Sequence, residues 1–266
     1  PDEHIYVINH GGDEAVSALI KDCNEITLPY DATKKSVNQR RWQILSLFTS
    51  GLTHCYDWVI CNDIDEFVVL DPAISDDLTG YLSEIAKRET VPSAITAFAV
   101  EMVHVPELEP DPIVSDGPIL GPRRIYRLNA NYAKPCIVHR PIEYKAGGHG
   151  GNHADIYVDP HLYNFHLRFV DYDYCMGRFQ KSLKRRLEGK TAEEQAQMKK
   201  GQWGWASVDQ TFEGLSKRHP TSETIDHPEF REKMITDQIS RPPFTLMGGG
   251  RPPHNYRLPE RFSGLF

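Results

Sequence analysis

The sequence has no run approaching the ~20 consecutive apolar residues that cross a bilayer as a helix. At Pro1-Asp2-Glu3-His4 there is neither a basic start nor a signal-type apolar region. A cytoplasmic protein without a transmembrane segment is expected from these two absences, and peripheral contact with a membrane is compatible with both. There is no C-x-x-C pair. The five cysteines, Cys23, Cys55, Cys61, Cys136 and Cys175, are odd in number and widely spaced. That pattern speaks against a zinc ribbon or a thioredoxin-like site and for reduced, mostly buried thiols. Positive charge is not in excess: the net charge is −7. The basic footprint of a nucleic-acid binder is therefore missing. Lys181, Lys184, Arg185 and Arg186 form a local exception, which reads as a solvated helix face. Internal repeats and linker-like stretches are absent as well. With 266 residues, 39% of them hydrophobic, the chain can bury one sizeable core, and residues 1–266 are expected to form one domain.

The elements that are present alternate. Ile5-Tyr6-Val7-Ile8 reads as a buried strand that ends in the turn Asn9-His10-Gly11-Gly12-Asp13. Helical spacing follows from Asp13 to Lys21, with Asp13 placed to cap it. Glu25 to Leu28 reads as a second strand, stopped by Pro29. From Val37 to Gly51, Trp42, Leu45, Phe48 and Leu52 recur at helical steps. Trp58-Val59-Ile60-Cys61 is a continuous apolar run, the pattern of a strand buried on both faces. Strand, helix, strand, helix, strand predicts an α/β protein with a mixed, mostly parallel sheet and flanking helices. Later strands are expected at Ala94 to Val105, Arg124 to Leu128, Cys136 to Pro141 and Leu162 to Val170. Helices are expected at Leu78 to Arg88 and Tyr174 to Lys200. Glu107 to Pro122 reads as a loop, and the tail from Pro242 to Phe266 as a surface wrap.

Chemistry gathers where the Trp58 run ends. Asp63, Asp65 and Glu66 emerge from it within four residues. Ligands of open α/β sheets bind beyond the carboxyl ends of strands. Carboxylates leaving an apolar strand are costly unless something positive meets them. Oxygen donors suit a hard divalent cation, Mg²⁺ or Mn²⁺. A glycine- and histidine-rich loop, Tyr144 to His153, follows later in the chain.

The segment Tyr56-Asp57-Trp58-Val59-Ile60-Cys61-Asn62-Asp63-Ile64-Asp65-Glu66-Phe67-Val68 resembles the D-x-D-E-F segment of the family-2-like glycosyltransferases. It is closest to the bacterial branch that is also similar to the family-92 enzymes. Two further segments agree in order. Tyr132-Ala133-Lys134-Pro135-Cys136-Ile137-Val138 leads to Gly147-Gly148-His149-Gly150, and Leu162-Tyr163-Asn164-Phe165-His166-Leu167-Arg168-Phe169 follows. The resemblance covers most of Ile5 to Arg186. It implies a GT-A fold, with a nucleotide-sugar-binding half at 1–72, an acceptor and metal-loop half at 73–186 and a helical, irregular extension at 187–266. It leaves one strand unaccounted for, since only Pro1 to His4 precede the Ile5 strand. Either a gap separates the Ile5 and Trp58 strands, or the two pair directly.

The resemblance also implies roles. Asp63, Asp65 and His149 would hold Mn²⁺ or Mg²⁺, with His153 and His166 as competitors to His149; His166, between Phe165 and Leu167, reads better as a core histidine. Arg41, Lys134 and Asp63 would meet the UDP- or GDP-sugar donor, with Arg40 a further candidate. Trp203, in Gln202-Trp203-Gly204-Trp205, has the flat apolar surface that stacks on a sugar ring, or else anchors the C-terminal helices. An inverting enzyme needs a carboxylate base. Glu101 and Asp155 are the candidates, because the Glu-Asp dipeptide that supplies it in the family is absent. The expected activity is transfer of a sugar from a nucleotide diphosphate to a hydroxyl of a saccharide or glycan acceptor. The alternatives are a metal-dependent nucleotidyltransferase or phosphohydrolase, and an inactive carbohydrate-binding relative.

Overall fold

A computed structural model describes residues 2–29, 37–153, 157–188, 190–195 and 208–266. By contacts within the chain the residues separate into two compact units, Pro1–Arg40 and Arg41–Phe266. In the first, β1 (Tyr6–His10) and β2 (Asn24–Leu28) form a two-stranded parallel sheet joined through α1 (Glu14–Leu19). Asp13 caps α1 as its sequence position predicts, accepting from the N–H of Ala15 and Val16.

The helix α2 (Val37–Leu52) leads into the second unit. There follow β3 (Val59–Ile60), β4 (Glu66–Leu70), α3 (Leu78–Ala86), β5 (Ala94–Val103), β6 (Ile125–Leu128), β7 (Ile137–Val138), β8 (Gly150–Gly151) and β9 (Tyr157–Phe169). The remaining elements are α4 (Tyr172–Leu187), α5 (Val208–Leu215), β10 (Pro220–Glu223), α6 (Pro228–Thr236), β11 (Ile239–Arg241), β12 (Phe244–Leu246) and β13 (Asn255–Arg257). Among the described residues no helix is long and apolar enough to cross a membrane.

Eight of these strands make one sheet. Its spine is β5, buried along its whole length. β9 runs parallel along one edge and in turn carries β4. On the other edge lie β7, with β3 beyond it, and β6, followed by β13 and β10. The expectation of a mostly parallel sheet is corrected here: the sheet is mixed. The parallel ladders are β5–β9 and β10–β13; the others are antiparallel. The cause is in the connections. A parallel neighbour needs a crossover, usually a helix, but no helix separates β5 from β6, and the chain returns along one edge of β5 in the reverse direction, first as β6 and then, past a 3-10 turn at Ala130–Tyr132, as β7. Among the described residues β3 pairs with β7, and β1 with β2.

Alternation splits the sheet into two chemically different faces. Phe98, Val100, Met102, Tyr126, Leu128, Tyr163, Phe165 and Leu167 share the apolar one. It is covered by Phe230 and Met234 of α6 and by Met247, Leu258 and Phe262 of the tail. The tail therefore contributes to the core, where a surface wrap was expected. Phe266 continues it, its ring 4.6 Å from that of Phe67 and 5.8 Å from that of Phe165. α4 and α5 close the far ends of β5 and β9 through Val103, Phe169, Phe179 and Phe212.

His227 belongs to this packing. It stacks near Phe98, and its Nε2 lies 2.7 Å from the Tyr126 hydroxyl. Burial holds its pKa at about 4, below the ordinary 6.5. The unfolded chain therefore binds a proton there before the folded chain does. Stability is full above about pH 6.5 and falls as the pH drops toward 4. Urea midpoints at pH 7 and pH 5 should differ in that direction, and His227→Gln should reduce the difference. An unchanged difference in the variant would refute the assignment.

Candidate functional site

The acidic turn follows directly from the shortness of β3. Cys61 donates its N–H to Cys136 O at 2.8 Å, and the chain then turns, with Glu66 N–H bonded to Asp63 O at 3.0 Å. The turn lifts Ile64 into solvent, 88% exposed. On the other side of the turn, Leu167 of β9 donates its N–H to Asp65 O at 2.8 Å.

Two cations meet Asp63. Arg41 approaches one carboxylate oxygen at 3.1 Å and Lys134 the other at 3.2 Å. Arg41 follows from the packing of its neighbour: Trp42 is 1% exposed and edge-on to Tyr144, which fixes where α2 presents the guanidinium. Lys134 is buried, and its ammonium also donates to Glu66 at 2.7 Å. The rings of Trp42 and Tyr132 lie 5.4 and 5.9 Å from it. Burial disfavours the charged lysine, but the carboxylates of Glu66 and Asp63 outweigh it and raise the pKa. The second oxygen of Glu66 accepts from Asn164 at 3.2 Å, and Asn164 also donates to Tyr132 O.

Behind the turn, the second face of the sheet carries a polar row. The ladders set Glu66 of β4 beside His166 of β9, His166 beside Glu101 of β5, Glu101 beside Arg127 of β6, and Arg127 beside Asn255 of β13. All five are buried. Directly paired residues share a face, so five strands contribute one polar side chain each to a single line. Glu101 bonds to Arg127 and accepts from Asn129 at 3.0 Å; its other oxygen lies 3.3 Å from His166 Nδ1. Burial opposes its ionisation, yet His166 and Arg127 overcome that and hold its pKa at about 2. A carboxylate so buried and so acidic is poorly suited to abstract a proton.

The histidine loop approaches from the other side. Gly147 and Gly148 have positive φ, 91° and 67°. A Cβ on Gly148 would stand 2.3 Å from the tip of Trp42, so only glycine lets the loop close on that ring. β8 anchors the loop by pairing with β12. His149 Nδ1 lies 2.6 Å from Asn131 O. A carbonyl only accepts, so Nδ1 carries the hydrogen and Nε2 the lone pair. Burial, then the charge of Lys134, lowers the His149 pKa to about 4, which keeps the ring neutral near pH 7. The ring meets Tyr132 edge-on at 5.8 Å, and Tyr132 stacks on His166 at 3.8 Å.

The structure thus gathers Arg41, Asp63 and Lys134 into direct contact and sets Asp65 near His166. His149 reaches the same cluster through Tyr132. Glu101 lies in the buried row behind. Asp155 and Trp203 fall outside the described residues. Among the described residues no three His, Cys, Asp or Glu side chains are gathered as a preformed metal-holding group. The half-exposed Asp63 and Asp65 nevertheless fit one kind of cation. Mg²⁺ and similar ions take one or two carboxylates, keep waters and share substrate phosphates, without a protein cage. Tyr132, Asn164 and Arg127 were not read from the sequence as parts of a site, and His166 was weighed there only as a competitor to His149 and assigned to the core. The available signal was Glu101, inside the apolar strand β5, and Glu66, at the start of the apolar strand β4; buried acids of this kind need partners on neighbouring strands. Comparison with family models, with curated proteins and with solved structures returned no match.

Proposed function

We propose that the chain is a metal-dependent glycosyltransferase that moves a sugar from a UDP- or GDP-sugar to a hydroxyl of a saccharide acceptor, with inversion. The observation that carries the reading is the acidic turn Asp63–Asp65, partly exposed just beyond β3, with Arg41 and Lys134 on Asp63. When bound, Mn²⁺ or Mg²⁺ held by Asp63 and Asp65 would act as a Lewis acid on the diphosphate and neutralise the charge of the leaving group. The chain's own groups do the rest. Lys134, fixed between Glu66 and Asp63, holds the Asp63 carboxylate in one orientation. Arg41 is partly exposed and has the planar fork that binds phosphate oxygens. His149 offers a neutral Nε2 toward the same neighbourhood. Glu101 supports the row behind the turn, which leaves Asp155 as the candidate base. A cytoplasmic site of action belongs to the same reading and is supported by the five free cysteines.

The test is thermal unfolding in the presence of a panel of UDP- and GDP-sugars, with and without Mn²⁺. At 100 times Kd, a ligand of the native state stabilises it by about 2.7 kcal/mol. One nucleotide sugar should raise Tm, and more so with Mn²⁺. A panel without effect, or hydrolysis of nucleoside triphosphates instead, would refute the reading; the second result favours the nucleotidyltransferase or phosphohydrolase alternative.

A further inference from the structure

Asp63 and Asp65 are held in different ways. Two cations grip Asp63, whereas the side chain that the described residues bring toward the Asp65 carboxylate is His166, with Nε2 at 3.8 Å from Oδ2. The opposite nitrogen of that ring faces Glu101 at 3.3 Å. The ring plane is fixed by its stack on Tyr132, 25° from parallel. The backbone around it is fixed too, because the next residue, Leu167, bonds to the Asp65 carbonyl. Glu101 is itself locked by Arg127 and Asn129, and Arg251 bonds to Asn129 Oδ1 at 3.2 Å. A line of polar side chains therefore runs from the interior of the sheet to one oxygen of the acidic turn, with the His166 ring set between Glu101 and Asp65 at 3.3 and 3.8 Å.

We propose that His166 is a positioning residue: its Nε2 orients the Asp65 carboxylate toward the divalent cation, and Glu101 orients the ring. The inference rests on the glycosyltransferase reading and adds to it the group that prepares the second aspartate. At 3.8 Å the contact is electrostatic, longer than a hydrogen bond, and it acts directly on the carboxylate or through one bridging water. Partners that aim a ligand in this way typically change metal affinity by about 10–100-fold when removed.

Two substitutions separate positioning from mere support of the fold. In His166→Gln the amide nitrogen falls near the place of Nε2 and faces Asp65. In His166→Asn it falls near the place of Nδ1 and faces Glu101. Mn²⁺ binding is read by electron paramagnetic resonance in the presence of UDP or GDP, beside nucleotide binding without metal. The expected result is a loss of about 10–100-fold in Mn²⁺ affinity for His166→Asn and substantial recovery in His166→Gln. Metal-free nucleotide affinity and Tm should be similar in the two variants. Equal Mn²⁺ affinity in the two variants, or better binding by His166→Asn, overturns the proposal while the wider reading stands. A wild-type chain that binds no Mn²⁺ with either nucleotide overturns the reading itself, and the proposal with it.

Discussion

Lys134→Met is expected to destabilise the protein by about 3–5 kcal/mol, the scale for breaking a buried pair from one side. The magnitude follows from where the charges sit. The side chains of Lys134 and Glu66 are 3% and 1% exposed, and the ammonium donates to Glu66 at 2.7 Å. Removing the lysine leaves Glu66 with Asn164 alone, and an amide donor does not neutralise a carboxylate. Asp63 stands closer to water and keeps Arg41, so it contributes less to the loss. The double variant Lys134→Met, Glu66→Gln should recover a large part of the stability, because it removes the orphaned charge as well. Urea denaturation of the wild type, both single variants and the double variant measures the coupling. Additive effects would show that the pair is not the unit described here.

Asp65→Asn is expected to reduce Mn²⁺-dependent sugar transfer by about 10²–10³-fold, the scale of losing one preorganised electrostatic contact, with Tm within a few degrees of the wild type. The substitution keeps the shape of the side chain and removes a charge that a bound cation would use. In the absence of metal it also relieves repulsion between Asp65 and Asp63. The backbone bond from Leu167 to the Asp65 carbonyl is untouched, so the turn should persist. Release of nucleotide diphosphate, followed at several Mn²⁺ concentrations, measures the effect. Turnover within a few-fold of the wild type and unchanged Mn²⁺ dependence would remove Asp65 from the site.

The Asp13 cap and the helix from Val37 were legible because each depends on neighbours a few residues apart. The run before the acidic turn does hold a strand, but only Val59 and Ile60 form it and Ile60 is exposed, where burial on both faces was expected. The resemblance put Arg41 with the donor, but its contact with Asp63 was not legible, because the presentation of Arg41 depends on Trp42 packing onto Tyr144, a residue distant in sequence. Strand direction was not legible, since an apolar run such as Trp58 to Cys61 is equally compatible with a parallel or an antiparallel neighbour. β9 begins earlier than its expected start at Leu162, because Pro160 lies where the β5–β9 register shifts, and an irregularity of that kind tolerates proline. The same limit hid His166. Between Phe165 and Leu167 it reads as a core residue, and it is indeed buried. Only adjacency of strands distant in sequence puts Glu66 and Glu101 on either side of it.

The polar row has a consequence for how the sheet assembles. A slip of one residue in β9 would turn His166 to the apolar face and offer Phe165 or Leu167 to the two glutamates. Apolar strands forgive such slips, because one branched side chain substitutes tolerably for another. Charged ones do not, since each misplaced group would be buried without its counterpart. The line from Glu66 to Asn255 thus acts as an alignment key cut across five strands, admitting one pairing and rejecting its near neighbours before any ligand arrives.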